Sequence, residues 1–142
     1  MRNVILPNRE LRLLANQLQG FKAGYTVEQI RLLDRVMRIM EFNLKEFNDA
    51  LKIELAKEYK KPEEKDEALN KFMEDMGVKE ATCSFEDGDF NFIKAVWGKM
   101  TGMSGNPEAR AAILIIDNAI QNASEPVFTN GEKKEDNDTQ LN

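Results

Sequence analysis

Apolar and polar positions along the chain fall into five helical patterns and two short β-like runs. The longest helical pattern spans Ile30 to Tyr59, IRLLDRVMRIMEFNLKEFNDALKIELAKEY, with no Gly and no Pro. Ile30, Leu33, Met37, Met40, Leu44, Phe47 and Leu51 recur in alternating steps of three and four, the spacing of one helix face. Leu32, Val36 and Ile39 widen that face in the first half and leave Arg31, Asp34, Arg35, Arg38 and Glu41 opposite. A wide stripe is buried against several neighbours, a narrow one forms a seam. The expected helix is therefore core at its start and a seam later, at Leu44, Phe47 and Leu51, where a second copy would pair. Thr26 with Gln29 predicts a capping box at its start, and Pro62 predicts its end. Residues 27–60 would then extend roughly 50 Å, longer than a compact domain of this size.

Before this segment, Val4–Leu6 is a short apolar run stopped by Pro7, and Asn8 is the expected N-cap of a helix through Gln19. Leu11, Leu14, Ala15, Leu18 and Phe21 give that helix its apolar side, and the short connection through Gly20 and Gly24 predicts an antiparallel αα-hairpin. After Pro62, four acids load a first turn and Ala68, Leu69, Phe72, Met73 and Met76 share a side, with Gly77 at the C′ position. Ala81–Phe85 alternates like a strand, and its expected partner is Val4–Leu6. Glu86–Gly88 reads as a turn with Asp89 as the next N-cap, before Phe92, Ile93, Val96, Trp97 and Met100. Thr101–Gly105 is linker, and Asn106-Pro107-Glu108 opens a last helix to about Ala123, with Ala109, Ala112, Ile113, Ile116 and Ile120 inward. Leu114 and Ile115 widen that face, which places the helix at the centre of the core. The fold expected is mainly α: an αα-hairpin with one long helix, three shorter helices, and a minor ribbon of residues 4–6 with 81–85. Residues 1–124 form one helical domain, and 125–142 read as a flexible polar tail.

Composition narrows the chemistry. There is no His, and Cys83 is the only cysteine, which removes intramolecular disulfides, most zinc sites and imidazole-based catalysis. Net charge is −5, against general nucleic-acid binding. The charge is uneven: residues 1–40 carry +4, 41–90 carry −7, and six of the seven arginines lie in the first block. No run spans a membrane and the N-terminus lacks a signal-peptide core, so a cytoplasmic protein is expected.

Motif by motif, catalytic readings fail. Counting an EF-hand loop from Asp87 puts Phe92 where Gly belongs and Gly98 where Glu belongs. Met100 follows Lys99 where a phosphate loop needs Ser or Thr, and Ile93 stands at its first Gly. Asn106 stands where a nucleophile elbow around Ser104 needs its last Gly. Two surfaces remain. Arg31, Arg35 and Arg38, with Arg9 and Arg12 on the neighbouring helix, form either an anion- or phosphate-binding surface or an ordinary solvated face with pairs Arg31–Asp34, Asp34–Arg38 and Arg38–Glu41. The acidic block 54–75 is either a nucleic-acid mimic or a solvated surface diluted by interleaved lysines. The aromatic and Met residues read as core, and Cys83 as a small buried hydrophobe.

The order VILPNRELRLLANQLQG, then ELAKEYKK, then FEDGDFNFIKAVWGKM resembles a family of small uncharacterised proteins encoded by tailed phages and prophages of Gram-positive bacteria. The resemblance covers most of residues 3–123 by layout. It implies a phage origin and expression in the cytoplasm of the bacterial host cell, and it supplies no catalytic residue. The expected function is a non-enzymatic protein–protein interaction protein, a virion-assembly accessory or host-protein adaptor, with homodimerisation through Leu44, Phe47 and Leu51. The alternative is an inhibitor of a host defence nuclease complex acting through the Arg stripe or the acidic surface. No catalytic group, metal or cofactor is expected, and no membrane or independent nucleic-acid partner.

Overall fold

The computed structural model describes residues 1–125, so the expected polar tail lies, past Glu125, outside the described residues. The elements in order are β1 (Arg2–Pro7), α1 (Asn8–Gln19), α2 (Val27–Ala56), α3 (Pro62–Phe72), a π-helical turn (Met73–Gly77), β2 (Glu80–Phe85), α4 (Asp87–Lys99) and α5 (Pro107–Ser124). The fold is mainly helical with one small antiparallel ribbon, as the patterning predicts.

In the ribbon Val4 lies opposite Cys83 and Leu6 opposite Ala81. Alternation turns Val4, Leu6, Cys83 and Phe85 into the core and leaves Ile5, Thr82 and Ser84 outside. The core then gathers Leu11, Leu14 and Leu18 of α1, Val36 to Leu51 of α2, Phe90, Ile93 and Val96 of α4, and Ile116 and Ile120 of α5. Arg2 ties the ribbon to the end of α5, its guanidinium donating to the carbonyls of Ala123 and Glu125. Those carbonyls have no partner inside the helix and sit at its negative end.

Several local expectations give way to tertiary contacts. Asn8 is not a cap but the first helical residue of α1, with Pro7 in the cap position. Its Nδ2 donates to the Met76 carbonyl at 3.0 Å and its backbone N–H to the Lys79 carbonyl at 2.8 Å, so it pins α1 to the π-helical turn. Gly77 is not a left-handed C′ residue but ends that turn, where an added Cβ would meet Met73 Sδ at 3.3 Å and Arg9 Cβ at 3.4 Å. Close approach, not positive φ, calls for glycine there.

The α2 capping box forms as predicted, with Gln29 N–H to Thr26 Oγ1 at 3.1 Å and Thr26 N–H to Gln29 Oε1 at 2.9 Å. The other end comes earlier than residue 60, at Ala56. Past Leu51 no continuous apolar stripe rewards further helix. Glu54 instead accepts the Tyr59 hydroxyl at 2.7 Å and Lys57 Nζ at 3.2 Å, while Lys65 Nζ reaches the Leu55 carbonyl at 3.3 Å. Burial along α2 is also the reverse of the expectation. Ile30 is exposed and Leu33 half-buried, and full burial runs from Val36 to Leu51. The second half gains neighbours distant in sequence: β2 crosses it, and α3 folds back so that Phe72 lies 5.6 Å from Phe47, ring to ring.

At α4 the expected turn is already helix, beginning at Asp87, and Asp89 is buried instead of capping. The pattern runs through Gly98 to Lys99. In α5 Asn106 caps the Ala109 N–H at 2.9 Å, as predicted. Its buried residues are Ile116, Ala119, Ile120 and Ala123, against β1, while Leu114 is exposed, so α5 is central only in its second half. Among the described residues no helix is long and apolar enough to cross a membrane.

Candidate functional site

The five arginines expected to form one surface are divided among different duties. Arg35 crosses to α4, where Nη2 lies 2.7 Å from Asp89 Oδ1 and Nε 3.4 Å from Oδ2. Asp89 is only 5% exposed, so the carboxylate is taken from water and given one cation in its place. That hydrogen bond and the Asp89 charge raise the Arg35 pKa further above its ordinary value. Arg38 pairs with Asp34 at 2.9 Å, one helical turn away; Arg31–Asp34 and Arg38–Glu41 do not form. Arg9 bonds the buried Glu10 at 2.9 and 3.1 Å and packs beside Gly77. Arg12 lines a groove between α1 and α2 with Met37, Glu41 and Leu44, on another side of α2 from the outward arc that carries Arg38. Arg31 is exposed and makes no ion pair among the described residues.

The expected seam is corrected by burial. Leu44, Phe47 and Leu51 are covered by the chain's own elements, Phe47 to 1% exposure beneath Phe72, and none presents an open ridge to a second copy. In the same region the Asn48 side-chain oxygen is buried without a hydrogen-bond partner, beside the α1–α2 groove. The sequence gives no signal for that cost, since a polar residue at this position reads as solvent-facing.

What sequence reasoning missed lies on the opposite side of α2. Phe42 is 79% exposed and Ile53 65% exposed. Both fall off the core stripe, on the arc shared by Arg31, Arg35, Arg38, Lys45, Glu46 and Asp49. Lys45 and Asp49 pair there at 2.7 Å; their bond holds the carboxyl below its usual range and raises the ammonium. A large aromatic on a charged arc was visible on the helical wheel, but a search for apolar periodicity discards residues that break the period.

The remaining groups offer little chemistry. Cys83 is fully buried, and desolvation pushes its thiol up to about 11. On α3, Glu63, Glu64, Asp66 and Glu67 are exposed, a solvated acidic surface. Among the described residues, no group of three or more His, Cys, Asp or Glu side chains is placed to hold a metal ion. Comparison with models of protein families, with curated proteins and with solved structures finds no match to this chain.

Proposed function

We propose that this chain is a non-enzymatic protein–protein interaction protein whose working surface is the outward face of α2 centred on Phe42. The observation that supports this most is Phe42 itself, exposed midway along a 30-residue helix. Single exposed apolar residues are common and need no function. Phe42 differs in its surroundings. Arg38 and Glu46 stand four residues to either side of it, Arg35 and Asp49 seven, and Arg31 and Ile53 eleven.

That arrangement is self-complementary. Two copies of α2 laid antiparallel about a two-fold axis at Phe42 bring Arg38 of each against Glu46 of the other, while Arg35 stays on Asp89 of its own chain. Phe42 meets its own symmetry mate, and the Arg31 stem lies along Ile53. The Asp34–Arg38 pair of the single chain is exposed and weak, so it exchanges readily for the pair across the axis. Each ring offers about 150–250 Å² for burial, and a stable interface needs roughly 800 Å² per partner. Each ring alone covers about a quarter of that, so the pairing is expected to be weak and concentration-dependent.

The non-enzymatic part of the reading rests on the lack of His and on a lone cysteine too poorly ionised to act as a nucleophile. In the phage setting implied by the resemblance, such a protein serves as a virion-assembly accessory or a host-protein adaptor in the cytoplasm of the infected cell. Inhibition of a host defence nuclease has less support, because Arg9 and Arg35 are held by the buried carboxylates of Glu10 and Asp89.

Charge reversal tests the pairing. Arg38→Glu alone and Glu46→Arg alone each place like charges across the axis and should lower the sedimentation-equilibrium mass toward that of one chain. The double variant restores the pairing and should regain the wild-type mass. A wild-type chain that remains monomeric at about millimolar concentration overturns the self-pairing, as does a double variant no better than its parents.

A further inference from the structure

A second feature lies away from α2, where α1 and the connection after it, the end of α4, the linker before α5 and the first turns of α5 form the walls of a half-open cavity of about 430 Å³. That volume is in the range of small-molecule sites. Its apolar lining includes Leu13, Phe21, Trp97, Met100 and Ile113. Polar groups come from Gln17, Thr101 and Ser104, and charge from Lys22 and Lys99 alone. No carboxylate lines it, although the chain has 25 acids against 20 bases. The nearby Asp117 is occupied as acceptor of the Trp97 indole N–H at 3.0 Å. Neither lysine makes an ion pair among the described residues. Ala109, in the first turn of α5, also lines the cavity, so the positive end of that helix dipole adds to the two ammonium groups.

An apolar chamber with two unpaired cations and no anion selects one ligand chemistry. We propose that this cavity binds an amphipathic anion: a medium-length alkyl or flat apolar body resting on Trp97 and Ile113, with a single carboxylate or phosphate head between Lys22 and Lys99. The apolar body supplies most of the affinity through burial, and the lysines set its polarity and orientation. The fit calls for no movement of α2, so it stands apart from the Phe42 surface.

The cavity carries its own reporter, since Trp97 is the only tryptophan in the chain. Decanoate titrated into the full chain should change Trp97 emission saturably. Decyl phosphate should do the same if the head is recognised as an anion of either kind, and its failure beside a decanoate response assigns the site to carboxylates. Decylamine shares the body and should bind more weakly than decanoate by roughly tenfold or more; acetate shares only the head and should not saturate. The Lys22→Gln/Lys99→Gln double variant, altered only at exposed side chains, should weaken decanoate by roughly tenfold. Ala109→Phe, which fills the cavity without adding a second tryptophan, should abolish binding while circular dichroism shows the fold retained. Equal responses to decanoate and decylamine, an unchanged affinity in the lysine double variant, or no saturable response at all would overturn the proposal.

Discussion

Replacing Phe47 by Ala separates a residue that holds the fold from one that meets a partner. Phe47 is 1% exposed, with the Phe72 ring tilted against it at 5.6 Å and 39° and Leu44 and Leu51 on the same stripe. Removing a buried Phe side chain costs about 3–5 kcal/mol, the transfer of the ring plus the cavity left behind. The lost aromatic pair lies within that figure. Against a total stability of about 5–15 kcal/mol this is a large fraction. At about 4 °C per kcal/mol for a chain of this size, the midpoint should fall by about 12–20 °C. Far-ultraviolet circular dichroism measures both, the free-energy loss by urea unfolding and the midpoint by a thermal scan, at a concentration low enough to keep the chain monomeric. Phe42→Ala is the internal control: an exposed site should move stability by less than about 0.5 kcal/mol. The reasoning fails if Phe47→Ala loses only a few tenths of a kcal/mol and lowers the assembled mass instead, because Phe47 would then face a partner and not Phe72.

Three further outcomes follow from single contacts. Asn48→Leu removes a buried oxygen that has no partner, and should raise unfolding stability by about 1 kcal/mol in the same urea assay. Arg35→Ala should destabilise more than Asp89→Ala, because it strands a buried carboxylate whereas the reverse leaves a guanidinium that water reaches; equal losses would show that the pair is not asymmetric in burial. Cys83, buried and with its thiol at about 11, should react with thiol reagents at pH 8 only as fast as the fold opens. The unfolded thiol ionises near pH 8.5. Between there and pH 11 the unfolded chain therefore holds fewer protons than the folded one, and stability falls as pH rises. Cys83→Ala should remove that part of the slope, and an unchanged slope would contradict it.

The fold was legible where a local signal agreed with the tertiary demand. The Thr26–Gln29 box, the Asn106-Pro107 start and the Val4–Leu6 with Ala81–Phe85 pairing all appear where their side-chain chemistry predicts. The misreadings share one cause, a partner remote in sequence. Asn8 looked like a cap until Met76 and Lys79 claimed it. Asp89 looked like a cap until Arg35 claimed it. Leu44, Phe47 and Leu51 looked unpartnered because α3 and β2 come later in the chain and fold back. The candidate surface was legible only in part. The arginines on the outward arc of α2 were seen, but Phe42 between them was not, since its meaning comes from exposure. The cavity around Trp97 was invisible, because four separate segments build its wall and no motif spans them.

In the proposed pairing Phe42 lies on a two-fold axis, which sets position 31 of each chain opposite position 53 of the other. Cys83 is buried, so an Arg31→Cys/Ile53→Cys variant carries two accessible thiols and keeps Phe42, Arg38 and Glu46 in place. Under mild oxidation at concentrations where the chain self-associates, it should convert rapidly to a disulfide-linked dimer. Leu114→Cys, exposed on α5, sets the rate for random collision. Cross-linking of the double variant no faster than that of Leu114→Cys would contradict pairing about Phe42.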